Sequence, residues 1–303
     1  MTLPWRAPRL RGGRRTTAVP GVALHNGELS AGGMPRHYLL VTAAPGPGTP
    51  DAPSAVLIVL HGSSQTGQSV RSFTGHSFDL LAAGGRVAVV YPDGLKQRWN
   101  HDQSGSDAIN DVAFIEALAV RFHTLHGPVP VIVAGFSNGG QLAIRLIHEI
   151  PHRFQGAAII GATLPRAGTT DFADKRLPLP VLLVHGTHDL VVPYGGEGWL
   201  GSLFGRKRGP SAVDTAAYFA ARNKITAAPA RTVLAHRRES GHTSVTLSAF
   251  EQDGRAPVWL YTVAGGGHVV PNRQRRAISI AGRTTRDIST VEALTAFFPA
   301  LGS

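Results

Sequence analysis

Ser137, Asp189 and His268 are the residues of this chain whose types and placement could do chemistry together. A serine hydroxyl is a weak nucleophile until a base withdraws its proton, and the base must be oriented by a third group. Ser137 lies in Gly135-Phe136-Ser137-Asn138-Gly139, a G-x-S-x-G sequence. It follows the apolar run Val131-Ile132-Val133-Ala134 and precedes a stretch with helical periodicity. A serine between strand and helix sits on a sharp turn, where side chains at the flanking positions would clash, so glycine is required at both.

The acid and base come later in the chain, each just after an apolar run that reads as a strand. Asp189 follows LPVLLVHG at 179–186, and His268 follows VWLYTVAGGG at 258–267. The three glycines before His268 are read as freedom for the loop to bend towards Ser137. Each residue has a plainer alternative: Asp189 as a turn former, as Asp93 is in Tyr91-Pro92-Asp93-Gly94, and His268 as one solvated loop histidine among 14. Acyl transfer also needs two N–H donors for the oxyanion. Asn138, the residue after the nucleophile, is expected to supply one. The loop His61-Gly62-Ser63-Ser64-Gln65 supplies the other, with Ser63 preferred to Ser64 and His61 holding the loop in shape. Ser64, Trp99 and Val270 are candidates to line a substrate cleft. The close histidine pairs, His185 with His188 and His148 with His152, raise the question of a metal. Pro151 breaks the second pair and Asp189 engages the strand end of the first, so no metal and no cofactor are expected.

The elements that must position these residues alternate. Strands are expected at 37–43, 55–62, 86–94, 129–135, 156–163, 179–186 and 258–267, several of them apolar throughout, as in a parallel sheet covered on both faces. Helices are expected within 63–85, over 110–125, after Ser137 as far as Pro151, over 213–223 and over 289–301; Asn110 or Asp111 is suited to cap the second. The irregular, Gly-rich loop 190–210 is read as bordering a ligand site. This is the pattern of an α/β domain on a mostly parallel sheet, spanning 35–303 without internal repeat or linker.

Charge and composition narrow the functions. The chain has 303 residues, 43% of them hydrophobic, and a net charge of +11. Arg6, Arg9, Arg11, Arg14 and Arg15 carry much of that excess, and residues 1–34 are read as a basic, disordered tail. Further clusters at Arg206-Lys207-Arg208 and at Arg273, Arg275 and Arg276 lack interleaved aromatics, so they read as solvated surface rather than a nucleic-acid interface. No cysteine is present, which excludes disulfides and thiolate chemistry. No apolar segment reads as a signal or a membrane span, so a cytoplasmic location is expected, with export left open.

LIVLHGSSQTG, VVYPDG, Trp99-Asn100, NDVAFIEAL, AGFSNGG, VLLVHGTHDLVVPYGG and VWLYTVAGGGHVVP follow one another in an order and spacing that resemble one family. It is the polyhydroxybutyrate depolymerase and feruloyl/acetyl-xylan esterase group of α/β-hydrolases, and the likeness runs from about residue 35 to the C-terminus. The resemblance implies an α/β-hydrolase fold with helices on both faces of the sheet. It also implies ester hydrolysis through an acyl-serine, with catalytic positions matching Ser137, Asp189 and His268. Two departures stand out. Members often have cysteine at the place of Ser63, and tryptophan two residues after the catalytic histidine, where this chain has Val270. With no appended substrate-binding domain in the sequence, soluble esters or oligomers are expected over solid polyester. Acyl transfer to an alcohol with the same triad is the nearest rival; peptidase activity and a non-catalytic binding module rank below it.

Overall fold

A computed structural model describes residues 19–102, 109–166, 172–196, 209–274 and 281–302. The Arg-rich segment 1–15, the Arg206-Lys207-Arg208 cluster, Arg275 and Arg276, and most of the loop 190–210 lie outside these residues. Ten strands form one sheet: β1 (Val22–Ala31), β2 (Met34–Ala43), β3 (Ala55–Leu60), β4 (Val87–Pro92), β5 (Val131–Phe136), β6 (Gly156–Ile160), β7 (Val181–Gly186), β8 (Ala230–Val233), β9 (Ser244–Phe250) and β10 (Val258–Ala264). Their spatial order is β1-β2-β4-β3-β5-β6-β7-β10-β9-β8. From β4 through β3, β5, β6 and β7 to β10 all pairings are parallel. Antiparallel strands extend both ends of the sheet.

The parallel strands are mainly apolar because helices cover both faces. Every residue of β3, β4, β5 and β7 is buried. Alternate side chains feed opposite cores: Val56, Ile58 and Leu60 join one apolar cluster, Ala55, Leu57 and Val59 the other. Burying a valine, leucine or isoleucine in this way contributes roughly 1.5–3 kcal/mol. The first cluster packs against α3 (Asp111–His126), α4 (Asn138–Glu149) and α5 (Ala212–Arg222). The second takes α1 (Gly67–Phe73), α2 (Asp79–Ala83) and α6 (Thr290–Phe297), with α7 (Pro299–Gly302) at the end. Caps fix where several helices begin. Asn110 Oδ1 accepts the Ala113 N–H, which leaves Asp111 for another task, and Ser211 and Ser289 form reciprocal caps with Asp214 and Glu292.

Two expectations are corrected. Residues 1–34 are not a tail throughout, since Val22–Ala31 is a full edge strand paired along its length with β2. The signal was Gly32-Gly33, which sits between the paired Ala31 and Met34 with φ of 59° and 75°. Two residues with positive φ make the tight hairpin whose twist suits its strands. The strand β9, antiparallel partner of β10, and the short β8 were also absent from the sequence reading. β9 carries its pattern in Val245, Leu247 and Ala249, whereas β8 is exposed at every position and has no burial pattern to read. Among the described residues, no helix is long and apolar enough to cross a membrane.

Candidate active site

The register brings the ends of the parallel strands level. Leu60 pairs with Gly135, Gly135 with Ile159, Ile159 with Leu183 and Leu183 with Leu260. The loops carrying Ser63, Ser137, Asp189 and His268 therefore all leave the sheet at one edge, the carboxyl end where ligands of open α/β sheets bind.

Ser137 joins β5 to α4 with φ 54° and ψ −120°, a conformation strained for any residue with a Cβ and costing on the order of 1–3 kcal/mol. Its N–H donates to the Ile160 carbonyl at 2.9 Å, and its carbonyl accepts from Gln141 N–H at 3.0 Å, so strand and helix hold the turn from both sides. The flanking glycines are needed for contact. A Cβ on Gly135 would lie 2.1 Å from the Gly139 carbonyl oxygen, and one on Gly139 would lie 2.5 Å from that of Leu60.

Asp189 and His268 meet directly. His268 Nδ1 is 2.7 Å from Asp189 Oδ2, and the aspartate side chain has no solvent exposure. An acceptor-only carboxylate fixes the proton on Nδ1, which leaves Nε2 as the basic nitrogen. Asp189 Oδ1 accepts the N–H groups of Val191 (2.9 Å) and Val192 (2.8 Å). The His268 ring lies against Phe136, the neighbour of Ser137, with centroids 4.8 Å apart. It also rests on Gly161, where an added Cβ would stand 3.3 Å from Nδ1 and Cε1. The glycines before His268 serve close approach more than freedom. Gly265 has a φ of 72°, a Cβ on Gly266 would lie 2.6 Å from Val263 Cγ1, and one on Gly267 would lie 2.3 Å from the Ala281 carbonyl oxygen.

At the other side of Ser137, the loop after β3 is locked by His61. Its Nε2 accepts the Gly94 N–H (2.9 Å), so its Nδ1–H donates to the Gly62 carbonyl (2.7 Å). Gly62 N–H donates to Gln65 Oε1 and Ser64 N–H to the Gln97 carbonyl, each at 2.9 Å. That leaves Ser63 as the remaining N–H donor of the three. Asn138 begins α4, where the first N–H groups have no intrahelical acceptor. Its side chain does something the sequence did not suggest: Oδ1 accepts the Trp99 N–H at 2.7 Å while Nδ2–H donates to the Trp99 carbonyl at 3.2 Å. Asn138 thereby ties the elbow to the loop around Trp99.

The cleft candidates fare unevenly. Ser64 is exposed with φ 60°. Trp99 is not an open wall: it is 3% exposed, its ring tilted against His61 with centroids 4.7 Å apart, and its Nε1–H donates to the His61 carbonyl. Val270 is 2% exposed within the same apolar cluster as Ile288, Leu294 and Phe297. Both side chains are spent on the core, because burying them gains more than lining an open cleft would. Among the described residues, no group of three or more His, Cys, Asp or Glu could hold a metal ion.

His61, His148 and His185 are buried, and burial foremost holds each imidazole below its ordinary value of 6.5. Unfolded, these rings take up protons near 6.5; folded, they do so only at lower pH. Their contribution to stability is complete above that value and is lost as pH falls towards the folded values. The urea midpoint is thus expected to drop between about pH 7 and about pH 5, and a flat midpoint across that window would contradict it.

A sequence profile of the Phospholipase/Carboxylesterase family matches residues 49–198, a stretch that holds Ser137 and Asp189. The acetyl xylan esterase from Aspergillus awamori superposes with a TM-score of 0.57 at 12% identity, over 81% of this chain and 94% of that one. The fold is that of the α/β-hydrolases. NocK of Nocardia uniformis subsp. tsuyamanensis, which carries an esterase name, is 28% identical over 293 residues, covering 88% of this chain and 79% of its own. The chain thus aligns over most of its length with a protein so named, and shares only its fold with the fungal enzyme.

Proposed function

We propose that the chain is a serine esterase and that Ser137, His268 and Asp189 are its catalytic residues. The observation that carries this reading is the 2.7 Å His268–Asp189 pair on the strand edge that also carries the strained Ser137 turn. His268 Nε2 takes the Ser137 hydroxyl proton as Oγ bonds to the ester carbonyl carbon, and the carbonyl electron pair moves to oxygen. The N–H groups of Asn138 and Ser63 receive that oxyanion. His268 then gives the proton to the departing alcohol as the C–O bond breaks. Water, activated the same way, releases the acid and restores Ser137.

The finer reading is a depolymerase-like esterase for short acyl esters or hydroxyalkanoate oligomers. It is supported by the ordered motifs and by an apolar pair on the acid loop: Leu190 and Val191 are 91% and 65% exposed immediately after Asp189. Such side chains suit an apolar acyl or alcohol group rather than a charged one. An ester panel tests both levels: p-nitrophenyl acetate and butyrate, a hydroxybutyrate oligomer and methyl ferulate, alongside fluorophosphonate labelling. Labelling at Ser137 with turnover of butyrate and oligomer is expected. Turnover of ferulate alone would move the specificity to the feruloyl side, and a folded protein that the fluorophosphonate does not label at Ser137 would refute the esterase.

A further inference from the structure

His185 is buried beside the acid, yet the catalytic cycle above gives it no part. It is the penultimate residue of β7, and its side chain is 2% exposed. Its Nε2 lies 2.8 Å from the Val192 carbonyl oxygen and 3.5 Å from Asp189 Oδ2. These neighbours, and the Ala162 carbonyl that also faces the ring, can only accept; with the close contact at Val192, we place the proton on Nε2, which donates there. Burial foremost pushes the imidazole below its ordinary value of 6.5, which favours the neutral ring. The edge of Tyr194 closes on it at 5.8 Å, and Tyr194 is itself bonded through its hydroxyl to Thr262 on β10 at 2.8 Å.

The turn that His185 touches is held by hydrogen bonds. Leu190 and Val191 face solvent, so apolar burial does not anchor residues 190–191. What fixes the turn is polar: the Val191 and Val192 N–H groups go to Asp189 Oδ1, and the Val192 carbonyl goes to His185. Pro193 comes next and has no N–H to add. If the carbonyl end came loose, the Val191 and Val192 N–H groups would leave Oδ1. The carboxylate could then rotate, and Oδ2 would lose its alignment with His268 Nδ1.

We infer that His185 is a positioning residue of the acid arm, holding the Val192 carbonyl so that the turn aims Asp189 at His268. This rests on the esterase reading above. The size of the effect follows from catalytic geometry, where a misplacement of about 1 Å can cost on the order of a hundredfold.

Glutamine can place an amide N–H near the position of the histidine Nε2, whereas asparagine's shorter side chain falls short of the Val192 carbonyl. For p-nitrophenyl butyrate, His185→Asn should lower kcat by about ten- to a hundredfold with KM little changed. His185→Gln should recover most of that loss. The same order should appear in the far-downfield proton resonance of the His268 Nδ1–H, present in the native protein and in His185→Gln, and broadened or shifted in His185→Asn. Thermal melts of both variants read any general loss of folding. Equal kcat and an unchanged resonance in the two variants would overturn the role, as would equal losses in both that track their melting temperatures. Absence of Ser137 labelling in the native protein would instead bring down the esterase reading on which the inference stands.

Discussion

Ser137→Ala is expected to lower kcat for p-nitrophenyl butyrate by about five to six orders of magnitude, with folding retained. The loss is large because the hydroxyl forms the covalent bond, and no neighbour can take its place. A residual rate above that in water should persist, because the oxyanion donors and the bound geometry are untouched. Folding should survive because the Ser137 side chain makes no cap hydrogen bond to α4, and alanine meets the same positive φ that serine does. Initial rates and a urea titration of the purified variant measure both halves. Turnover within tenfold of the native protein would remove Ser137 from the mechanism.

A large stability effect away from the triad is expected from Asp111→Ala. Asp111 Oδ1 is 2.6 Å from Arg36 Nη2, with side chains 0% and 1% exposed, and Oδ2 accepts the Asn100 N–H at 2.7 Å. Arg36 also lies over the Phe114 ring at 4.1 Å and donates to the Asp93 carbonyl. Removing the carboxylate leaves a guanidinium buried without its counter-charge, which costs about 3–5 kcal/mol. A paired replacement, Arg36→Leu with Asp111→Leu, should recover part of that loss, because neither charge then remains to be desolvated. The urea midpoints of the single and paired variants decide the matter; a pair no more stable than the single would contradict the electrostatic account. The single variant should lose activity as well. Asn100 adjoins Trp99, whose backbone Asn138 grips from the first turn of α4, so loosening Asn100 loosens the elbow from outside.

The sequence by itself determined the periodic and local features. Apolar runs without polar interruption have only a doubly covered parallel sheet to enter, so the central strands and the two-faced core could be read from residue types alone. The elbow at Ser137 was also legible, because contact between strand and helix admits glycine on either side of the serine. The chain order of serine, aspartate and histidine, each after a strand, followed from the same alternation. Tertiary structure decided what depends on partners distant in sequence. Trp99 and Val270 looked free to line a cleft, yet their surroundings bury them. Asp111 stood beside the residue that caps α3, and only the fold shows that Asn110 caps while Asp111 neutralises Arg36, 75 residues away. The Ser63 N–H stands out from its neighbours because Gln65 and Gln97 engage theirs. The link from His185 through Val192 to Asp189 is invisible in a linear pattern. A histidine in an apolar strand shows its residue type, whereas its proton position is set by the carbonyl that the fold brings to it.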